Sequence, residues 1–149
     1  MADWELAQLN IAHLLAPIDS PTLADFVSEL DRINALADAA PGFVWRLQDD
    51  VQEEDPADNP FGEEFIVNIS VWDSVASLFD YVYRTAHTDV MKQRKKWFYR
   101  ANIQNSVLWW VPTGHQPTAV EAKERLDKLQ ANGPTTNAFT FKQAFDKPA

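Results

Sequence analysis

Cysteine is absent from this 149-residue chain. That excludes disulfides, thiolate metal sites and cysteine nucleophiles, and it suits a reducing compartment. Glycine is scarce, at four residues. No HExxH, GxGxxG, phosphate-binding loop or GxSxG string occurs, so nothing points to a zinc hydrolase, a dinucleotide enzyme, an NTPase or a serine hydrolase. Asp55, Asp58 and Asn59 lack the alternating spacing of a calcium loop. No apolar run approaches the roughly 20 residues that span a bilayer. The acidic start, Met1 to Glu5, lacks the order of a signal peptide. A cytoplasmic protein without membrane association is the expectation.

Basic residues are missing locally. Residues 49–64 hold eight acids and no base, and removing these from the net charge of −9 leaves −1 for the rest. The body is nearly neutral, so charge does not argue for a polyanionic partner. This segment, with Pro56, Pro60 and Gly62, reads as a flexible acidic loop over 50–62. The basic run Lys92, Arg94, Lys95, Lys96 and Arg100 is interleaved with aromatics. On an acidic protein it reads as a solvated helix face and not as a nucleic-acid surface.

Aromatic residues are plentiful, with six tryptophans and nine phenylalanines. Each buries about 150–250 Å², so they require a core plus a subunit interface or an aromatic-lined cavity.

Alternation with period two marks four strands. In residues 64–72, Phe65, Val67, Ile69 and Val71 form an apolar row, whereas Ile66, Asn68, Ser70 and Trp72 form a mixed one. Residues 4–11 split likewise, with Leu6, Gln8 and Asn10 opposite Ala7, Leu9 and Ile11. In residues 43–48, Phe43, Trp45 and Leu47 oppose Val44, Arg46 and Gln48. Residues 106–111 form the fourth strand. Ser20-Pro21 opens a first helix striped by Leu23, Phe26, Val27, Leu30, Ile33 and Ala37. Asp73 or Ser74 opens a second, striped by Val75, Leu78, Phe79, Val82 and Tyr83 and continuing past His87 to Trp97 and Phe98. Thr118 and Glu121 form a capping box for a third helix, and Gly133-Pro134 stops it. A C-terminal extension, 134–149, holds an apolar stretch at 138–141.

The order β-α-β-β-α-β plus a helix predicts an α+β, ferredoxin-like antiparallel sheet in one domain, 1–149. Helices cover one face of such a sheet. The mixed rows are expected on the other face, closed by a second subunit that leaves a chamber.

The strings WELAQLNIA, INALADAAPGFVWRLQ, VNISVWDSV, VYRTAH, KKWF, VLWWVPTGHQPT and AFTF resemble domain-of-unknown-function family 3291, over nearly the whole chain outside the acidic loop. That family in turn resembles the dimeric α+β barrel superfamily, which includes antibiotic-biosynthesis-type monooxygenases, muconolactone isomerases, chlorite dismutases and dye-decolorizing peroxidases. The likeness implies a homodimer that binds a small organic molecule. It implies cofactor-independent monooxygenation or proton-transfer isomerisation of an aromatic or polycyclic substrate. The alternative is a non-catalytic small-molecule or haem-binding module. No metal site is expected, and haem enters only with the alternative.

His87 is the candidate base, because imidazole titrates near neutral pH; the bland role is a bond to a backbone carbonyl. Arg46 and Asn68 are candidates for holding an oxyanion. Gln8, Asn10, Ser70, Trp72, Tyr83, Arg94, Trp97 and Trp110 complete the candidate substrate-binding set. Alternation allows only one of Trp109 and Trp110 onto the cavity face, and Trp110 is the favoured one. For the amides and the serine, the competing role is a hydrogen-bond network at a dimer interface. For Arg46 and Arg94 it is a salt bridge, and for the tryptophans it is core packing. His13 and His115 read as surface or turn residues.

Overall fold

The computed structural model describes residues 4–47, 61–62, 64–84, 94–99 and 105–148. The acidic loop over 50–60 and His87 lie outside the described residues. Strand β1 (Trp4–His13) leads through a 3-10 turn (Pro21–Leu23) into α1 (Ala24–Ala39). Then follow β2 (Phe43–Arg46), β3 (Phe65–Trp72), α2 (Val75–Arg84), β4 (Ser106–Pro112) and α3 (Ala119–Asn132). The strands make one antiparallel sheet in the order β2-β3-β1-β4. This is the ferredoxin-like arrangement that the element order predicts.

Local chemistry sets the helix ends. Ser74 Oγ accepts the Ser77 amide at 3.1 Å and starts α2. Thr118 Oγ1 accepts the Glu121 amide at 3.1 Å and starts α3. Both satisfy an amide that the first turn leaves without a partner. Ser20 makes no such cap; its hydroxyl donates to the Pro17 carbonyl, and Pro21 opens the 3-10 turn. Gly42 sits at φ +86°, and a Cβ there would fall against the Ser77 and Asp73 side chains. Glycine is therefore required at the turn between α1 and β2.

The expected stripe reached Phe98, with Thr85 and Thr88 as candidate points of interruption near His87, a stretch outside the described residues. Arg94–Lys96 is a 3-10 turn, and Phe98 forms an antiparallel bridge with Leu14. Lys95 and Lys96 are exposed on that turn, not along a helix face. The stripe of α2 is also rotated from the expected one. Leu78 and Tyr81 are buried, whereas Phe79 and Tyr83 are exposed.

Coverage of the sheet is the reverse of the expectation. The apolar row, including Ala7, Leu9, Ile69, Val71, Val107 and Trp109, packs beneath α3 through Ala119, Ala122, Leu126 and Leu129. The mixed row lies beneath α1 and α2. There Leu6, Trp72 and Leu108 cluster with Ala37, Leu78, Tyr81 and Phe139. The physical reason is that the mixed rows carry large apolar groups at one end of the sheet, and these need cover. The appended helix, not α1 and α2, supplies the layer over much of the apolar row.

Strand β2 has an irregularity between Phe43 and Trp45. A bulge inserts one residue and resets the alternation. Phe43 therefore joins the α1/α2 side and Trp45 the α3 side, whereas simple alternation had grouped them. The C-terminal extension straddles the free edge of β4. Phe139 exchanges two backbone hydrogen bonds with Leu108, at 2.8 and 2.9 Å. Its neighbour Ala138 packs into the cluster under α3, and Phe139 packs into the one under α1 and α2. This pairing covers an edge that would otherwise expose unpaired amides.

Candidate ligand-binding site

The cross-strand register stacks the mixed face into successive rows. Trp72 and Trp110 flank Leu6; Ser70 and Leu108 flank Gln8; Asn68 and Ser106 flank Asn10; Ile66 faces Ala12. The first row belongs to the cluster around Tyr81 and Leu78. Ile66, at the other end, belongs to a separate cluster of Leu14, Leu23, Phe26 and Trp97. Helix α1 contributes Leu30 and Ile33 to the second cluster and Leu36 and Ala37 to the first. Between two aromatic-rich clusters, under one helix, the sheet thus carries a polar belt: Ser70, Gln8, Asn68 and Asn10. Ser70 and Gln8 are buried, whereas Asn68 and Asn10 are exposed. The belt runs from a dry inner end to a wet outer one.

The belt is internally bonded. Gln8 Nε2 donates to Asn68 Oδ1 and to Ser70 Oγ, both at 2.8 Å. The Trp72 indole N–H donates to the same Ser70 Oγ at 2.8 Å. A serine oxygen has two acceptor lone pairs and one proton to give. Both lone pairs of Ser70 are occupied, and its proton has no acceptor among the described residues. Gln8 Oε1 likewise has no donor among them. Burying a hydroxyl or an amide without a partner costs about 1–3 kcal/mol. A donor and an acceptor of this kind, side by side between apolar clusters, can pair with the polar edge of a ligand.

Trp72 is not an open wall. It is 1% exposed, with Phe43 edge-on at 5.4 Å and Tyr81 at 5.2 Å and 30°. Its contribution to the belt is the indole N–H. Trp110 lies on the same face and Trp109 on the opposite one, as alternation requires. The Trp110 N–H is held by the Phe145 carbonyl at 2.9 Å. Trp97 is a core residue, 1% exposed and packed on Phe26. Tyr83 points away from the belt and is half exposed against Phe79 and Phe141. For Arg94 the backbone alone is described, in the 3-10 turn. His115 is a turn residue bonded to Glu121 at 2.6 Å, and His13 is an exposed strand end between Phe65 and Tyr99.

Arg46 borders the belt, cross-strand from Ser70. Its guanidinium is committed to Asp38 at the end of α1, with Nε to Oδ1 at 2.8 Å and Nη2 to Oδ2 at 3.3 Å. It clamps a carboxylate, but an internal one, and so does not stand free for a ligand. The sequence reading omitted Asp38 and Tyr81. Tyr81 lies three residues after Leu78, a helical spacing that would have flagged it. Its hydroxyl donates to the Ile33 carbonyl at 3.2 Å and ties α2 to α1.

The Tyr81 phenol is pushed up to about 12 from its usual 10, first by burial and then by the Asp38 carboxylate, against an opposing Arg46. The folded protein holds this proton more tightly than the unfolded chain does. The associated stability is therefore complete below pH 10 and is lost as pH climbs through about 12. Tyr81→Phe should flatten that loss, measured by urea unfolding between these two pH values. Equal slopes in both proteins would contradict the assignment.

Among the described residues, no group of three or more His, Asp or Glu side chains could hold a metal, and no helix is long and apolar enough to cross a membrane.

The sheet order and the helix cover define a ferredoxin-like α+β protein. The chain belongs to the family described as domain of unknown function, DUF3291, whose model matches residues 5–149. No curated protein matches it. Among solved structures, PA3566 from Pseudomonas aeruginosa is similar, with 14% identity over 77% of this chain and 99% of that one, at a TM-score of 0.50. NE2512 from Nitrosomonas europaea, a protein of unknown function, shares 15% identity over 78% of this chain and 96% of that one, at 0.48. SnoaB, a cofactor-independent oxygenase from Streptomyces nogalater, shares 20% over 78% and 97%, at 0.46. Identities this low speak for the fold alone.

Proposed function

We propose that this protein binds a small planar organic molecule between the sheet and α1, with the ligand's polar edge on the Gln8–Ser70–Asn68 belt. The observation that carries this reading is the buried Ser70 proton and Gln8 oxygen, both without partners among the described residues, set between aromatic clusters. In its catalytic form His87 is the base. Removing a phenol's proton raises electron density on the ring, which then reduces dioxygen. One oxygen atom stays on the ring as a carbonyl and the other leaves as water.

The test is a melting screen with 9-fluorenone, 9-hydroxyfluorene and 1-naphthol. A ligand at a hundred times its Kd adds about 2.7 kcal/mol. For a chain of this size that raises Tm by roughly 5–10 °C. No shift with any of the three sinks the site. For catalysis, 1-naphthol should consume one dioxygen per quinone formed, and His87→Ala should abolish uptake while still binding. Uptake unchanged in that variant removes His87 from the chemistry.

We further propose that a second copy covers the rest of the apolar face. Helix α3 packs on β4 and β1, and Ile11, Trp45, Leu47 and Val67 remain only partly buried. Light scattering should give a dimer, and Trp45→Glu should convert it to monomer. A monomeric wild type contradicts the proposal.

A further inference from the structure

The hydrogen-bond chain Trp72–Ser70–Gln8 has a direction. An indole N–H can only donate. Trp72 therefore always occupies one lone pair of Ser70 Oγ, at 2.8 Å. Gln8 Nε2 occupies the other, at 2.8 Å. The same Gln8 nitrogen also donates to Asn68 Oδ1, at 2.8 Å. The serine hydroxyl, which ordinarily serves as either donor or acceptor, is left with donation alone. Ser70 is 6% exposed, so bulk water does not freely take that proton. Trp72 is itself fixed by Phe43 and Tyr81, and Tyr81 is fixed to the Ile33 carbonyl. The direction of one proton is thus set by packing that reaches into both helices.

Deepening the binding reading above, on which it rests, we propose that Ser70 is the specificity-determining residue of the belt, a hydroxyl committed to donation that selects ligands presenting a carbonyl oxygen. Trp72 is its positioning residue and acts through it. The chemistry follows from the pairing. Placing an acceptor oxygen against a buried donor with no other partner recovers the cost of burying it. A ligand without that oxygen leaves the donor unpaired, which disfavours it by the same amount.

The experiment uses 9-fluorenone and fluorene, which share one frame and differ at a single position. The wild-type protein should bind fluorenone about tenfold more tightly than fluorene, the worth of one neutral hydrogen bond. Ser70→Ala should bring the ratio near one. Trp72→Phe frees a lone pair, so the hydroxyl can turn, and the ratio should fall several-fold. In the wild-type complex the fluorenone carbonyl stretch should move to lower wavenumber, a readout that does not depend on any variant folding. A wild-type ratio near one, an unshifted carbonyl stretch, or a preference retained in Ser70→Ala overturns the role of Ser70 alone. Absence of binding by both compounds overturns the site itself, and this inference with it.

Discussion

Gln8→Leu is expected to weaken binding of 9-hydroxyfluorene by about tenfold to a hundredfold while leaving the melting temperature unchanged or slightly higher. A structural Gln8 and a ligand-binding Gln8 respond differently to this change. As a structural residue, Gln8 makes two hydrogen bonds, to Asn68 and to Ser70. Neither partner is stranded by its loss. Asn68 is exposed to water, and Ser70 keeps the Trp72 indole. Replacing a buried amide by an apolar group of similar size is then nearly neutral. As a binding residue, Gln8 supplies the oxygen that accepts a ligand hydroxyl and also fixes Ser70. Losing both roles removes one hydrogen bond directly and loosens a second. A functional polar group in a buried place is where stability and activity part company. Calorimetric titration and thermal melting on the same preparation decide between the accounts. A large drop in Tm with affinity unchanged would mark Gln8 as structural.

Trp109→Ala should destabilise the fold by about 3–5 kcal/mol, the range for a large aromatic truncated to alanine in a core. Trp109 is fully buried in the cluster beneath α3. Its indole N–H donates to Glu121 Oε2 at 3.0 Å, and the other Glu121 oxygen meets His115. The truncation opens a cavity between sheet and helix and removes one bond that anchors the start of α3. Trp109→Phe separates these effects. It keeps most of the ring volume and removes the hydrogen bond, so a loss of about 1–2 kcal/mol is expected. Urea unfolding measures both. If Trp109→Ala costs under about 1 kcal/mol, α3 does not pack on this face as described.

Much of the fold was legible. Alternation in residues 4–11, 64–72 and 106–111, the Thr118 cap and Gly42 located the strands and turns, because each is a local signal with a local cause. Two features were hidden. The bulge in β2 inverts the face of Phe43 and leaves no trace in a four-residue strand. Which helices cover which face is not a local property either. An apolar row reads as core whatever packs on it, and α3 took the place that the order of elements assigned to α1 and α2.

The site was legible in its residues and not in its setting. Gln8, Asn68, Ser70 and Trp72 were singled out from the mixed rows, and the structure joins these four by hydrogen bonds. Their place under α1, within one protomer, was not visible from the sequence. Arg46 could not be separated from a salt bridge, because Asp38 reaches it only through the turn at Gly42. Tyr83 and Trp97 share the sequence features of pocket-lining aromatics. One turned outward and the other entered the core, a distinction set by the rotation of α2 and by the 3-10 turn before Trp97.

The central claim is that a ligand occupies the belt beneath α1 and leaves the α3-covered face alone. Indole N–H resonances report on this directly, because Trp72 lies on one face and Trp109 on the other. On titration with fluorenone, the Trp72 signal and the Gln8 side-chain amide should shift together and saturate, while the Trp109 signal stays in place. Movement of Trp109 with Trp72 unmoved would put the ligand on the wrong side of the sheet and end the account.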